Sequence, residues 1–374
     1  MSRFSNLGHR LYQGEVSFDF VGRRKLWYSI SAAIAGAALI GLTVIGLHLG
    51  IEFKGGSVYT VQKAGLSVSQ AQTEIDKIVG DSTSQVQSTG DGKIRIQVSS
   101  GEKVSSDTVV KQLSTDLSVP SSDINAQVVG PSWGHQISQK ALLGLVIFMV
   151  LVTAYLAIAF EWRMAVAALV ALIHDLLITI GVYALVGFEV TPGTVIGFLT
   201  ILGYSLYDTV VVFDTVKENT KNLEKQNKLT YSEAANAGLN QTLVRSLNTT
   251  VVALLPVAAL LFIGGGLLGA GTLNDISLAL FIGLSAGAYS SICVATPLLA
   301  QLKEQTPEMK ALAKRVAQRR AADAKAAAAA EAAGEGVSDE AEDVVVDSVA
   351  AGMVGQRNQP VNRARGKGRP SGKR

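Results

Sequence analysis

The chain has 374 residues, 48% of them hydrophobic and only 17% charged, with a net charge of +3. An ordinary soluble domain with a similar apolar share is ~25% charged, so this shortage of charge excludes a soluble globular enzyme. The single cysteine, Cys293, sits in an apolar stretch and excludes a disulfide framework or a cysteine metal cluster.

A helix needs ~20 mostly apolar residues to cross a bilayer. Blocks of that kind run over 27–49, 141–160, 164–187, 193–213, 247–268 and 276–300. The first is too long for a signal-peptide core and lacks a small-residue cleavage site. Pro256 and Pro297 fall inside spans, which membrane helices tolerate when packed neighbours satisfy the backbone. The sequence therefore predicts an α-helical polytopic membrane protein with six transmembrane helices.

Lysine and arginine in the short loops set the orientation. Arg3, Arg10, Arg23, Arg24 and Lys25 precede span one. Lys217, Lys221, Lys225, Lys228 and Arg245 lie between spans four and five, and Lys303, Lys310, Lys314 and Arg315 follow span six. The loops at 188–192 and 269–275 carry no Lys or Arg. Both termini are thus expected in the cytoplasm: 1–26 ahead of the first helix, 50–140 outside, and 301–374 as a cytoplasmic tail.

The 50–140 segment predicts a domain rather than a linker. Strands are expected at 57–62, 84–88, 93–99 and 124–129, and helices at 67–79 and 105–118. Ser67 with Gln70 fits a capping box, and Gly90-Asp91-Gly92 fits a hairpin turn. IRIQV at 94–98 alternates apolar and polar as a half-buried strand does. The order βαββαβ is the split, ferredoxin-like pattern. It holds no cluster of His, Cys or paired carboxylates, so it reads as a recognition or mechanical module. His48 and His135 flank the outer membrane surface and carry no evident chemistry.

From Lys303 the chain turns polar. AADAKAAAAAEAA at 321–333 favours a helix but lacks an apolar face. Acidic residues gather at 331–347, and only basic ones follow Gln356. Such a charged tail is expected to stay disordered. Its basic end suits weak contact with anionic membrane lipid or ribosomal RNA, and no other nucleic-acid contact is expected.

An ionisable group inside a span is a functional candidate by default. Asp208 lies in span four, in GYSLYDTVVVFD, and Asp175 lies mid-span three, directly after His174. Arg245 opens span five at a depth comparable to Asp208, so an Asp208–Arg245 pair across two spans is expected. Tyr204 is one turn before Asp208 on the same face, and Thr209 is beside it. Together these five residues outline a proton pathway, against which stands a static ion pair holding two helices in register. Asp214 and Glu218 belong to the helix end. No HExxH, no GxSxG elbow at a strand-to-helix turn and no GxxxxGK[ST] occurs, and GGGLLGAG at 264–271 ends a span rather than following a strand. No cofactor, metal or ATP site is expected, so any work is drawn from an ion gradient or a partner.

Four segments carry a resemblance: GIEFKGGS at 50–57, HDLLITIGVYAL at 174–185, GYSLYDTVVVFDTVKEN at 203–219 and LNQTLVRSLNTT at 239–250. In this order they resemble the SecF family of bacterial protein translocase subunits, over about residues 1–305. The chain departs from that family's usual pattern at Glu52, Lys54, Tyr207, Thr215 and Lys217, and of these Tyr207 is expected to alter the surroundings of Asp208. The resemblance implies one half of a resistance-nodulation-division type transporter in the bacterial inner membrane. A separate SecD would supply the other six spans, the SecYEG channel would be the partner, and YajC is a further candidate. The motor SecA would feed a preprotein inward to the channel, and the proton motive force would help draw it out. The family's proton-pathway residues fall on Asp208 and Arg245. Two other readings remain: a half-size exporter of lipid or drug from the same superfamily, which would call for larger external domains, and an intramembrane enzyme built on His174-Asp175, which lacks a nucleophile partner.

Overall fold

The computed structural model describes residues 17–63, 65–80, 84–89, 93–99, 105–267 and 271–332. Among the described residues six helices are long and apolar enough to cross a membrane. In chain order the first is α1 (Arg24–Ile40), continued by a π-helical turn at Gly41–Ile45. Then come β1 (His48–Leu49), the short α2 (Ile51–Lys54) and a βαββαβ unit. That unit comprises β2 (Gly56–Gln62), α3 (Val68–Val79), β3 (Ser84–Thr89), β4 (Lys93–Ser99), α4 (Ser106–Asp116) and β5 (Ile124–Val129). The other long helices are α5 (Pro131–Ala159), α6 (Trp162–Val186), α7 (Pro192–Asn219) and α8 (Tyr231–Ala259). α9 (Gly271–Ser290), a π segment (Ser291–Ala295) and α10 (Thr296–Glu304) together make the sixth span. β6 (Glu189–Val190) lies between α6 and α7, and α11 (Pro307–Ala332) follows.

The βαββαβ unit forms where the sequence predicts it, within two residues at each end. Its sheet runs β3-β4-β2-β5, every neighbour antiparallel, with Tyr59 opposite Ile96 on one side and Ala126 on the other. Period-2 alternation sends Ile94, Ile96 and Val98 into the core while Lys93, Arg95 and Gln97 face away. α3 begins at the Ser67–Gln70 capping box and buries Ala71, Ile75 and Val79, spaced four apart as one helical face requires. α4 adds Val109 and Leu113 to the same core. The expected turn at 90–92 lies outside the described residues.

Hydropathy finds the apolar part of each helix and not its polar extensions. Pro131 starts α5 directly after β5, about ten residues before the apolar block, because proline suits the first turn of a helix. α8 begins at Tyr231 because Thr230 and Glu233 form a capping box. A feature that no local pattern announced ties the βαββαβ unit to the bundle. β1 pairs in parallel with β6, His48 opposite Glu189 and Leu49 opposite Val190, and the Gly50 amide donates to the Val190 carbonyl at 2.9 Å.

The helix core is tightest between α7 and α9. Ala279, Gly283 and Gly287 of α9 face Gly197, Ile201 and Ser205 of α7, two ladders each stepping by four residues. Small residues at this spacing let two membrane helices approach closely. α5 is the least buried of the long helices, and the α9–α10 span is the most buried.

The chain divides into two units, Met1–Val316 and Ala317–Arg374. Within the first, Leu312 and Val316 of α11 are buried, an apolar stripe that the composition of the tail concealed. Within the second, the described residues are helical to Ala332, with Arg319 Nε 3.5 Å from Asp323 Oδ2. The tail expected to be disordered is therefore helical over Pro307–Ala332, since alanine, lysine and glutamate favour a helix even without an apolar face. The acidic and basic blocks that follow lie outside the described residues.

Candidate functional site

Asp208 is buried in the middle of the bundle, 6% exposed. Its Oδ1 accepts a hydrogen bond from Ser246 Oγ of α8 at 2.8 Å, and its Oδ2 accepts one from Ser291 Oγ at 2.5 Å. Three helices thus converge on one carboxylate. Ser291 opens the π segment, whose extra residue per turn occurs often at functional positions. The local irregularity has a cause: Pro297, two residues beyond the segment, cannot donate a backbone bond. Thr296 Oγ1 instead donates to the Ser291 carbonyl at 3.1 Å.

Asp175 is fully buried on α6 and accepts from Ser205 Oγ of α7 at 2.5 Å through Oδ2. Its other oxygen has no hydrogen-bond partner among the described residues and lies 3.5 Å from His174 Nδ1. Ser205 and Asp208 are three residues apart on α7, so both carboxylates address one face of that helix.

The expected Asp208–Arg245 pair is not formed. Arg245 is exposed on α8, and no ion pair joins it to Asp208. Each residue turns an α-helix by 100°, so placing Ser246 against Asp208 rotates Arg245 out of the site. The static ion pair fails with it. Tyr207 is 58% exposed and also turns away, so its departure from the family pattern leaves the carboxylate's contacts untouched. The buried Tyr204 hydroxyl has no hydrogen-bond partner among the described residues, and Thr209 is buried beside Asp208. Asp214 and Glu218 line a cavity of about 800 Å³ at the bundle end away from the sheet, among Arg163, Lys217, Lys221 and Glu161. Among the described residues no cluster of His, Cys, Asp or Glu could hold a metal.

Sequence reasoning missed Ser205, Ser246 and Ser291. The one signal that could have found them is a hydroxyl residue within an apolar span at the depth of an acid. Chemically the arrangement has a definite property. A hydroxyl both donates and accepts, so serine can partner a carboxylate and also a protonated carboxylic acid. An arginine could satisfy only the charged form.

At the sheet-facing end, Arg95 of β4 binds Glu189 of β6, Nη1 to Oε2 at 2.9 Å. Thr191 Oγ1 donates to Asp275 Oδ2 at 2.9 Å nearby. Burial pushes the Glu189 carboxyl up from 4.5 to about 7; Arg95 lowers it, and Glu52 and Asp275 raise it further. A raised carboxyl stabilises the fold fully below about pH 4.5, and this contribution is lost as pH rises through about 7. Glu189→Gln should therefore flatten the stability profile between pH 4.5 and 7, removing a variation of at most about 3 kcal/mol. Thermal midpoints in detergent across that range check this, and an unchanged slope in the variant would contradict it.

A bundle of six apolar helices with a small antiparallel sheet docked at one end and hydroxyl-held acids inside marks a multi-pass membrane protein. Comparison with known proteins narrows it. The family described as "Protein export membrane protein SecD/SecF, C-terminal" matches residues 109–305, and the "SecD/SecF GG Motif" matches 40–62. The chain is 61% identical to the protein translocase subunit SecF of Streptomyces coelicolor over the full length of both. It is 42% identical to SecF of Mycobacterium tuberculosis, covering 81% of this chain and 72% of that one. Among solved structures, SecDF of Thermus thermophilus superposes with a TM-score of 0.66 at 28% identity, covering 78% of this chain and 39% of the other. The chain belongs to the SecF family of protein translocase subunits.

Proposed function

We propose that this chain is the SecF half of a two-part machine that uses the proton motive force to promote export of proteins through the SecYEG channel. The observation that carries the proposal is Asp208, buried among apolar helices and held by two hydroxyls from two other spans, with no lysine or arginine among the described residues paired to it. Such a group can take up and release a proton as access alternates between the two sides of the membrane.

The distribution of lysine and arginine supports a bacterial inner-membrane orientation with both termini cytoplasmic. The βαββαβ unit then lies outside, and its strand order is that of the ferredoxin-like split βαβ fold. Relatives titled SecDF in Thermus thermophilus and Bacillus subtilis match this chain over 40% and 37% of their length. The remainder of those longer proteins corresponds to what we assign here to a separate SecD subunit.

Arg245 acquires a role in this assembly. An exposed arginine without an internal partner in a membrane helix is costly to leave facing lipid, so we assign it to the face covered by SecD, one residue from the serine that holds Asp208. Arg245→Ala should leave the thermal midpoint of the chain nearly unchanged and should impair export. Combined with Asp208→Asn, it should add nothing, because residues acting as a unit are not additive. Clean additivity of the two export defects would place Arg245 outside the pathway. The assembly itself is tested by purification in mild detergent. The proposal expects SecD and SecY to accompany the chain, and it fails if neither does under conditions that keep SecYEG intact.

A further inference from the structure

His174 is a buried ionisable side chain that the site above leaves unused. His174 is 10% exposed at its side chain, and neither ring nitrogen has a hydrogen-bond partner among the described residues. A buried polar group left unpaired is costly. The ring is nonetheless held in place. It stacks on Tyr289 of α9, with centroids 6.1 Å apart and planes at 29°. The Tyr289 hydroxyl is tied in turn to Ser31 Oγ at 2.9 Å and to the Trp27 carbonyl of α1 at 3.3 Å. This fixes Nδ1 3.5 Å from Asp175 Oδ1, the one oxygen of that carboxylate without a hydrogen bond.

Depth orders the groups. At 1.5 Å per residue, Asp175 and His174 lie about 16–18 Å below the sheet-facing end of α6. Ser205 lies about 20 Å and Asp208 about 24 Å below the corresponding start of α7. The His174–Asp175 pair is therefore nearer the side on which the βαββαβ unit sits, and Ser205 lies between the pair and Asp208.

We propose that His174 and Asp175 form a proton-loading pair that supplies Asp208 through Ser205. This rests on the proton-coupled reading of Asp208. A proton arriving from the sheet side is shared between His174 Nδ1 and Asp175 Oδ1. The Asp175 carboxylic acid then turns about its Cβ–Cγ bond, so that the protonated oxygen faces Ser205 Oγ and gives up that same proton to it, while Ser205 passes its own hydroxyl proton to a water molecule. That water in turn protonates Asp208. Asp175 loses one proton, Asp208 gains one, and Ser205 and the water are restored once the hydroxyl rotates back. The other titratable groups facing the ring are Asp175 on its own helix and Tyr289 on α9, with Cys293 of the π segment beside Tyr289. No lysine or arginine among the described residues pairs with Asp175 or His174.

The test uses the full chain reconstituted with SecD in proteoliposomes, with proton uptake followed by an internal pH dye after an acid jump on the sheet side. His174→Phe keeps the stack on Tyr289 and removes the titrating nitrogens, and Ser205→Ala keeps the packing and removes the relay. Both should slow uptake by about tenfold or more, and His174→Phe should also change the pH dependence of the rate. If His174→Phe does not accumulate, His174→Gln serves the same comparison. Wild-type rates and pH profiles in the variants, alongside a block in Asp208→Asn, would overturn the loading pair and leave Asp208 as the carrier. Normal uptake in Asp208→Asn would instead overturn the proton-coupled reading.

Discussion

Replacing Asp208 by asparagine is expected to abolish gradient-dependent export while leaving the protein folded, inserted and assembled. The amide has nearly the shape of the carboxylate. Its oxygen can accept from one of Ser246 and Ser291, and its nitrogen can donate to the hydroxyl oxygen of the other. Neither serine is left unpaired, so the change in stability should stay within about 1 kcal/mol. The amide cannot cycle a proton, so the functional loss should be complete. Asp208→Ala is a useful contrast. It strands two buried hydroxyls and should lower stability as well, by about 1–3 kcal/mol for each group that finds no new partner. Pulse-chase secretion in cells carrying each variant, with abundance checked by immunoblot, separates the two effects. Wild-type secretion by Asp208→Asn with the gradient intact would defeat the carrier assignment.

Gly283→Leu is expected to produce the largest structural effect. A Cβ at Gly283 would run into the Ile201 side chain of α7, and the same ladder places Ala279 against Gly197 and Gly287 against Ser205. The isobutyl group must push α9 from α7 or force Ile201 out of its rotamer. Overpacking of this kind costs about 1–3 kcal/mol or more in a tightly packed core. Separation also has a functional consequence, because α9 leads directly into the π segment that carries Ser291. Moving it withdraws one of the two hydroxyls from Asp208. The variant should therefore show a lower thermal midpoint and reduced export, whereas Gly283→Ala should be milder on both measures. A Gly283→Leu protein with a wild-type midpoint would show that the helices are not as closely held as the ladder requires.

Much of this was legible in the sequence, and the parts that were not share a cause. Hydropathy located six spans, and alternation with capping residues located the strands and helices of 50–140, because each of these signals is local. The β1–β6 pairing was not legible, since two-residue strands about 140 positions apart carry no period. The π segments escaped because one extra residue per turn leaves apolar composition unchanged. Within the site, depth was readable and azimuth was not. Counting along α7 and α8 put Asp208 and Arg245 at similar depth, yet one residue of rotation gave the contact to Ser246. The acids were found because charge is rare in a span, whereas serines are common there and become informative only when another helix brings them to a carboxylate.

The central claim is that Asp208 carries protons, and proton flux across a membrane of known composition tests it most directly. The full chain and SecD are reconstituted together, a pH difference is imposed, and internal pH is followed for wild-type and Asp208→Asn proteins at matched density. The account predicts uptake above the leak of empty vesicles for the wild type and uptake at the leak for Asp208→Asn. Equal uptake by the two proteins, above the leak, would contradict it.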